Sequence, residues 1–117
     1  MLFRSAPERR FAHVLDLGCG TGLMAKEIAD LCDEMIGVDL APAMAAKARA
    51  SGFYARVEAG DLQGFLQGRA LASADLILAA DVFVYCGDLD AIFKEAARVA
   101  AQGALFAFTL QRAEEGD

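Results

Sequence analysis

The chain lacks several of the residues on which common kinds of site depend. Its 117 residues include no tryptophan, two prolines, three cysteines and a single histidine. Cys19, Cys32 and Cys86 form no C-x-x-C pair, so neither a zinc site nor any other metal site is predicted. The one histidine, His13, is predicted to be structural or solvent-facing. It supports no Ser-His-Asp set.

Long apolar runs and an excess of positive charge are also missing. No apolar segment approaches the length of a membrane-spanning helix without a charge or a glycine in it. Residues 1–10 lack the apolar core of a signal peptide. Together with an odd number of cysteines, which we interpret as free thiols, these features predict a cytoplasmic protein without membrane contact. The net charge of −6 argues against a nucleic acid as the main partner and favours a small-molecule substrate.

Hydrophobic residues, in contrast, are abundant, at 56% of the chain with a mean hydropathy of +0.35. Strands of a parallel sheet are buried on both faces and are therefore apolar throughout, which explains this excess. The length allows one domain, residues 1–117. The composition thus favours a single doubly wound α/β domain.

Strand and helix patterns alternate along the whole chain. The first, second and fourth strands are predicted at residues 12–17, 35–38 and 75–80, the third at 53–57 and the fifth at 104–110. The helices are predicted at about 21–32, from Pro42 onward, at 62–67 and between a cap at Asp88 and a stop at Gly103. The last helix should present its apolar residues on one face: Ile92, Phe93, Ala96, Ala97 and Val99. Such alternation predicts right-handed crossovers and a parallel sheet.

The most informative segment is D-x-G-x-G-x-G, formed by Asp16, Gly18, Gly20 and Gly22 between the first strand and the first helix. Glycines here let the backbone turn sharply and approach a ligand. The dinucleotide fingerprint G-x-G-x-x-G would need a glycine at position 23, where this chain has Leu23. The segment resembles instead the first motif of the class I methyltransferases that use S-adenosylmethionine (SAM).

This resemblance extends from Val14 to about Leu110, with the motifs in the same order. It implies a Rossmann-like sheet with strand order 3-2-1-4-5, in which strands 6 and 7 of the family are absent, so that the chain is a partial domain. The sequence is similar to methyltransferase types 11 and 12. The segment from Asp81 to Tyr85, with Gly87-Asp88-Leu89, further resembles bacterial predicted methyltransferases linked to tetratricopeptide repeats.

Four aspartates lie in or directly after predicted strands, near their carboxyl ends: Asp16, Asp39, Asp61 and Asp81. Carboxyl ends of parallel strands meet at one edge of the sheet, so these side chains should line one crevice. An alternative for each of them is capping of the following helix. Asp39 lies about 20 residues beyond the glycine loop, where an acid accepts both hydroxyls of an adenosine ribose.

The other site residues follow from the resemblance. It implies that Asp61 accepts the adenine amine, that Leu40 and Leu62 cover the ring, and that Asp16 holds the amino group of the methionine moiety. Backbone groups of Gly18 and Cys19 would line the same region, and Ala80 would border the sulfonium. Asp81 or Tyr85 could orient or deprotonate the acceptor, which makes them the candidate catalytic residues.

The predicted function is therefore methyl transfer from SAM to a small-molecule acceptor, with S-adenosylhomocysteine as the product. Two alternatives stay open. Asp39 also suits an NAD-dependent oxidoreductase, and the fold suits a SAM-binding or interaction module without catalysis. If strand five is an edge strand, its apolar residues, including Phe106 and Phe108, predict a homodimer.

Overall fold

A computed structural model describes residues 10–19, 22–84 and 86–112. Parallel strands form one sheet in the order β3-β2-β1-β4-β5, which confirms the predicted Rossmann-like fold. The strands are β1 (Phe11–Leu17), β2 (Cys32–Asp39), β3 (Arg56–Ala59), β4 (Ala74–Val84) and β5 (Ala100–Arg112). The helices are α1 (Leu23–Ile28), α2 (Pro42–Ser51), α3 (Leu62–Gln67) and α4 (Cys86–Val99).

The two faces of the sheet are covered by different helices. On one face, Leu15 and Leu17 of β1 pack in a cluster with buried residues of α3 and α4. On the other face, Val14 packs with Ala25 and Ile28 of α1, and α2 packs over the neighbouring part of the sheet. Because successive residues of a strand point to opposite faces, Asp16 shares the face of Val14, on the side of α1 and α2.

The centre of the sheet explains the high apolar content. Leu76, Ile77 and Leu78 of β4 are at most 1% exposed, so this strand is buried on both faces. Each such side chain contributes about 1.5–3 kcal/mol on burial. No helix among the described residues is both long and apolar enough to cross a membrane.

The first helix is shorter than predicted. It ends at Ile28, a 3₁₀ turn covers Ala29–Leu31, and β2 begins at Cys32, where a helix was expected to end. Cys32 pairs with Phe11, so the ladder between β1 and β2 uses the full length of β1. Pairing with β1 therefore overrides the local helical pattern.

The third strand is displaced along the chain, because β3 covers Arg56–Ala59 and the prediction was 53–57. Gly52, with φ of +83°, ends α2 in the left-handed conformation. The following residue pair, Phe53 and Tyr54, lies in a loop. Tyr54 is held there by a contact with a distant strand, which a local pattern does not reveal.

The predicted boundaries of the last helix are wrong at both ends. It begins at Cys86, so Asp88 lies inside it rather than at its cap, and it ends at Val99 rather than at Gly103. Ala72 and Ser73 donate their backbone N–H groups to the carbonyls of Arg98 and Val99, at 3.0 and 2.8 Å. These bonds satisfy the end of the helix without a glycine cap.

Two residues of that helix were predicted to be on its buried face and are exposed. Ile92, Ala96 and Val99 are buried as expected, whereas Phe93 is 42% exposed and Ala97 is also exposed. The buried residues are separated by four and three positions, the spacing of a narrow helical stripe. Among the described side chains of α4, these three form the buried stripe.

Candidate cofactor site

The glycine loop follows directly after β1 and is attached to β2. The backbone N–H groups of Gly18 and Cys19 both donate to the carbonyl of Val38, at 2.8 and 2.9 Å. Gly18 has φ of +74° and Gly22 has φ of +93°, a region that other residues rarely adopt. Gly20 lies outside the described residues. The loop is therefore held against the end of β2 by its own amides, and what it offers a ligand is a closely approachable backbone.

Asp16 lies beneath this loop and is 1% exposed. Its Oδ2 accepts a hydrogen bond of 2.6 Å from the hydroxyl of Tyr54. Burial raises the pKa of Asp16 to about 6; the Tyr54 hydrogen bond opposes this rise and the charge of Asp39 adds to it. At neutral pH, Asp16 is thus a buried carboxylate whose charge the nearby side chains only partly stabilise.

The ring of Tyr54 packs beside Gly37 and near Gly22. A Cβ on Gly37 would lie 2.9 Å from Cε1 of Tyr54 and 3.1 Å from the Cβ of Cys19, too close for a real side chain. A Cβ on Gly22 would lie 3.5 Å from Cε2 of Tyr54. The absence of a side chain at Gly37 thus makes room for the ring that reaches Asp16, whereas a Cβ at Gly22 would be in ordinary contact with it.

The thiol of Cys19 belongs to this packing and not to a reactive site. Cys19 is 7% exposed and clusters with Ala45 and Ala48 of α2. Burial, followed by the charges of Asp16 and Asp39, raises its pKa to about 12. The thiol therefore stays protonated and is not a nucleophile at this site.

Asp39 is the last residue of β2, and its Oδ1 accepts the backbone N–H of Ala41 at 2.9 Å. This bond orients the carboxylate between β2 and α2. The next residue, Leu40, is 73% exposed. Asp39 pairs across the sheet with Ala59 of β3, and Asp16 pairs with Gly37, two residues before Asp39. Asp16 and Asp39 therefore lie near each other at one edge, as predicted.

Asp61 lies two residues after β3 and caps α3. Its Oδ1 accepts the backbone N–H of Gly64 at 2.5 Å. The capping alternative therefore holds for Asp61, although an exposed carboxylate retains further lone pairs for a ligand. Leu62 is partly buried and packs against the core cluster of α3 and α4. Its side chain thus contributes to the core.

The remaining predicted residues fall at the end of β4. Ala80 pairs with Thr109 of β5, and the register between these strands shifts between Ala80 and Val82, at Asp81. The side chains of Ala80 and Asp81 are outside the described part of the structure, and so is Tyr85. The end of β4 reaches the same edge of the sheet as the ends of β1 and β2, because these strands are parallel.

Two residues of this edge were missed from the sequence. Tyr54 was assigned to a strand, and Gly37 was taken as an ordinary residue of the second strand. The only signal of Gly37 is a glycine inside an apolar strand, which often marks a close approach of another group. Nothing local indicates that Tyr54 contacts Asp16, 38 residues earlier.

The chain is similar to known methyltransferases in sequence. A family model described as a methyltransferase domain matches residues 15–108. The malonyl-[acyl-carrier protein] O-methyltransferase of Enterobacter lignolyticus (strain SCF1) is 34% identical over 117 residues, which cover 97% of this chain and 44% of that protein.

Solved structures with the same fold include a methyltransferase. The PH0226 protein from Pyrococcus horikoshii OT3 has a TM-score of 0.79 at 26% identity, over 94% of this chain and 50% of the other. A S-adenosylmethionine-dependent methyltransferase from Clostridium acetobutylicum ATCC 824 has a TM-score of 0.75 at 26% identity, over 92% and 46% of the two chains. The chain thus spans about half the length of the proteins it matches.

Proposed function

The chain belongs to the class I SAM-dependent methyltransferases, and from this membership we propose that the carboxyl edge of its sheet binds SAM for methyl transfer to a small-molecule acceptor. The observation that carries the proposal is the buried Asp16 under a glycine loop, beside Asp39 at the end of the next strand. A buried anion next to an approachable backbone suits a ligand that brings its own positive charge.

The residues present fit this cofactor at its amino acid end. The methionine moiety carries an ammonium group, and Asp16 supplies a carboxylate whose raised pKa reflects a poorly solvated charge. An ammonium that donates to it would replace the lost solvation with a charge-assisted hydrogen bond. Gly18 and Cys19 would border the ligand. Their N–H groups would not donate to it, because both donate to the carbonyl of Val38.

The adenosine end is assigned to the next two strand ends. Asp39 would accept the two ribose hydroxyls, because the Ala41 amide already orients its carboxylate and a carboxylate has about four acceptor positions. The exposed Leu40 would cover one face of the adenine, the backbone N–H of Leu62 would face the ring, and Asp61 would accept the exocyclic amine.

The chemistry asked of the protein is mainly positioning. Bound SAM supplies a methyl group on a sulfonium, which is already activated for in-line displacement. The strand ends would hold the acceptor in line with the methyl group and exclude water. Such positioning lowers the barrier because the reacting groups no longer need to find each other. Asp81 and Tyr85 are the residues we assign to orient the acceptor or take its proton. An O-methyltransferase among the relatives supports an acceptor with a nucleophilic oxygen.

The test is a calorimetric titration with S-adenosylhomocysteine, with NADH as the comparison ligand. We expect saturable binding of S-adenosylhomocysteine alone. Asp39→Ala should weaken it at least about thirtyfold, because hydrogen bonds to a charged acceptor contribute about 1.5–3 kcal/mol each.

Asp33→Ala is the matched control, since it removes an exposed acid at the opposite end of the same strand. This variant should bind within about twofold of the parent protein. Binding of NADH instead, or equal losses in both variants, would contradict the proposal.

A further inference from the structure

The contact between Tyr54 and Asp16 goes beyond the residues that the proposed function uses. Tyr54 lies in the loop between α2 and β3, and its hydroxyl reaches across to Oδ2 of Asp16 at 2.6 Å. The ring occupies the space left by the missing side chain of Gly37. A hydroxyl held in this way donates in one direction and fixes the plane of the carboxylate, and so the direction of its second oxygen.

Resting on the proposed function, we infer that Tyr54 is a positioning residue for cofactor binding: its hydroxyl keeps Asp16 oriented and ionised for the ammonium group of SAM, and thereby extends binding to lower pH. A protonated Asp16 would be neutral and would not attract the ammonium group. Tyr54 does not touch the reacting atoms in this assignment. It acts through Asp16.

Of the influences on the pKa of Asp16, the Tyr54 hydrogen bond favours the ionised form, and burial and Asp39 oppose it. From the glycine loop comes the Cys19 thiol, whose raised pKa keeps it neutral. From the end of β2 comes Asp39, whose charge favours protonation of Asp16. The Tyr54 phenol, from the α2–β3 loop, is the influence that favours the charged form, and burial raises its own pKa so that it remains a donor.

The strand partners of Asp16 are uncharged. Asp16 lies in β1 between Gly37 of β2 and Leu78 of β4. Two helices cover its face of the sheet: α1 contributes the apolar Ala25 and Ile28, and α2 carries Arg49, whose guanidinium donates to the carbonyl of Val57. Among the described residues, the balance between the two forms of Asp16 therefore rests on burial, Asp39 and Tyr54.

The experiment measures the affinity for S-adenosylhomocysteine between about pH 5 and 8 in the parent protein and in Tyr54→Phe, which keeps the ring. In the parent, affinity should fall below a midpoint near 6, the pKa of Asp16. In Tyr54→Phe the midpoint should rise by about one pH unit or more, with about threefold or greater weakening at pH 6.5 and near-parent affinity at pH 8. An unchanged midpoint, or an equal loss at every pH, would overturn the inference.

Two controls make the result specific. Ser51→Ala removes a hydroxyl from the same segment, one that donates to Ala48, and should keep the parent's midpoint. 5′-Methylthioadenosine lacks the ammonium and carboxyl groups, so its affinity should not follow the titration of Asp16. A shifted midpoint in Ser51→Ala, or a midpoint near 6 in the affinity for 5′-methylthioadenosine, would also contradict the inference.

A further measurement separates this inference from the proposed function. Carbon NMR of the Asp16 carboxyl, without ligand, should give a titration near 6 in the parent and a higher one in Tyr54→Phe. If the parent binds no S-adenosylhomocysteine at any pH, the proposed function fails, and this titration still tests Tyr54. If Tyr54→Phe does not fold, Asp16→Asn should abolish the pH dependence of binding, and a preserved midpoint there overturns the inference.

Discussion

The carboxyl and amino edges of the sheet both carry acids, but they satisfy them differently. At the amino edge, Asp33 pairs with Arg10 at 2.7 Å and Glu34 contacts His13 at 3.1 Å. The side chain of Asp75 there accepts the backbone N–H groups of Ala12 and His13, at 2.8 and 2.9 Å. The acids of this edge are therefore matched by basic side chains or by the ends of neighbouring strands.

At the carboxyl edge the donors to Asp16 and Asp61 are neutral. Asp16 accepts from a phenol and Asp61 from a backbone amide. Only burial and like charge accompany the phenol in setting the pKa of Asp16. The difference is that Asp33 at the amino edge has a basic partner, whereas the partner of the buried Asp16 at the carboxyl edge is neutral; on the proposed function, this charge serves a cationic ligand.

An open cavity shows that shape alone does not identify the site. A cavity of about 300 Å³ lies at the amino edge, lined by His13, Glu34 and the loop before β4. Its Arg69 stacks 4.7 Å from the ring centroid of Phe65 and pairs with Glu58 at 3.4 Å. His13 is solvent-facing here, as predicted from the sequence.

The largest effect should come from filling the space under the carboxyl edge. Gly37→Ala places a Cβ 2.9 Å from the Tyr54 ring and 3.1 Å from Cys19, both held by packed structure. We expect a loss of about 3 kcal/mol in the free energy of unfolding, measured by urea denaturation, together with loss of S-adenosylhomocysteine binding.

Gly60→Ala is the control for this substitution. No atom lies within 4 Å of a Cβ at that position, and its φ is not in the left-handed region. The variant should differ by less than about 0.5 kcal/mol. Equal effects of the two substitutions would show that the Tyr54 packing is not the cause.

A smaller effect, confined to the amino edge, is expected of Asp75→Ala. The change removes acceptors from two backbone N–H groups at the start of β1, which are partly accessible to water. We expect destabilisation by about 2 kcal/mol in thermal or urea unfolding. Affinity for S-adenosylhomocysteine should stay within about twofold. A large loss of affinity without a change in stability would break the proposed contrast between the edges.

The smallest effect, and one of opposite sign, is expected of Asp16→Asn. The raised pKa means that the native state binds this proton more tightly than the unfolded chain, so stability falls as pH rises from the ordinary value of 3.8 to about 6. The shift corresponds to about 3 kcal/mol at neutral pH, partly offset because the asparagine amide also needs partners.

Asp16→Asn should therefore be about 1 kcal/mol more stable than the parent near pH 7.5 and lose that advantage near pH 4. Urea unfolding at the two values measures the difference, and cofactor affinity should fall in the same variant. A variant less stable than the parent at neutral pH would contradict a net cost of the buried charge.

Much of the fold was predictable because its signals are local. The alternation of apolar strands with helices sufficed for the parallel sheet, and its strand order was predicted from the resemblance to the methyltransferase family. Asp16, Asp39 and Asp61 were placed at strand ends by position alone. Helix boundaries near Cys86 and Val99 were not predictable, since they depend on bonds to other segments, such as those from Ala72 and Ser73.

The site was predictable in its backbone and not in its contacts. The D-x-G-x-G-x-G segment indicated a close turn, and Gly18 and Gly22 indeed have positive φ. The cap made by Asp61 could have been identified from the helical segment that follows it. The bond of Tyr54 to Asp16 could not, because it joins residues that only the folded sheet brings together.

By itself, the sequence determined the order of elements and the edge where the acids collect, since these follow from periodicity, turn residues and the direction of parallel strands, and its motifs identified the family by resemblance. Only the tertiary structure decided which acid is buried, which is a helix cap, and which ring fills the space beside Gly37. Burial and hydrogen bonding depend on neighbours distant in the chain. The charge of Asp16 is therefore a property of the folded protein and not of its motif.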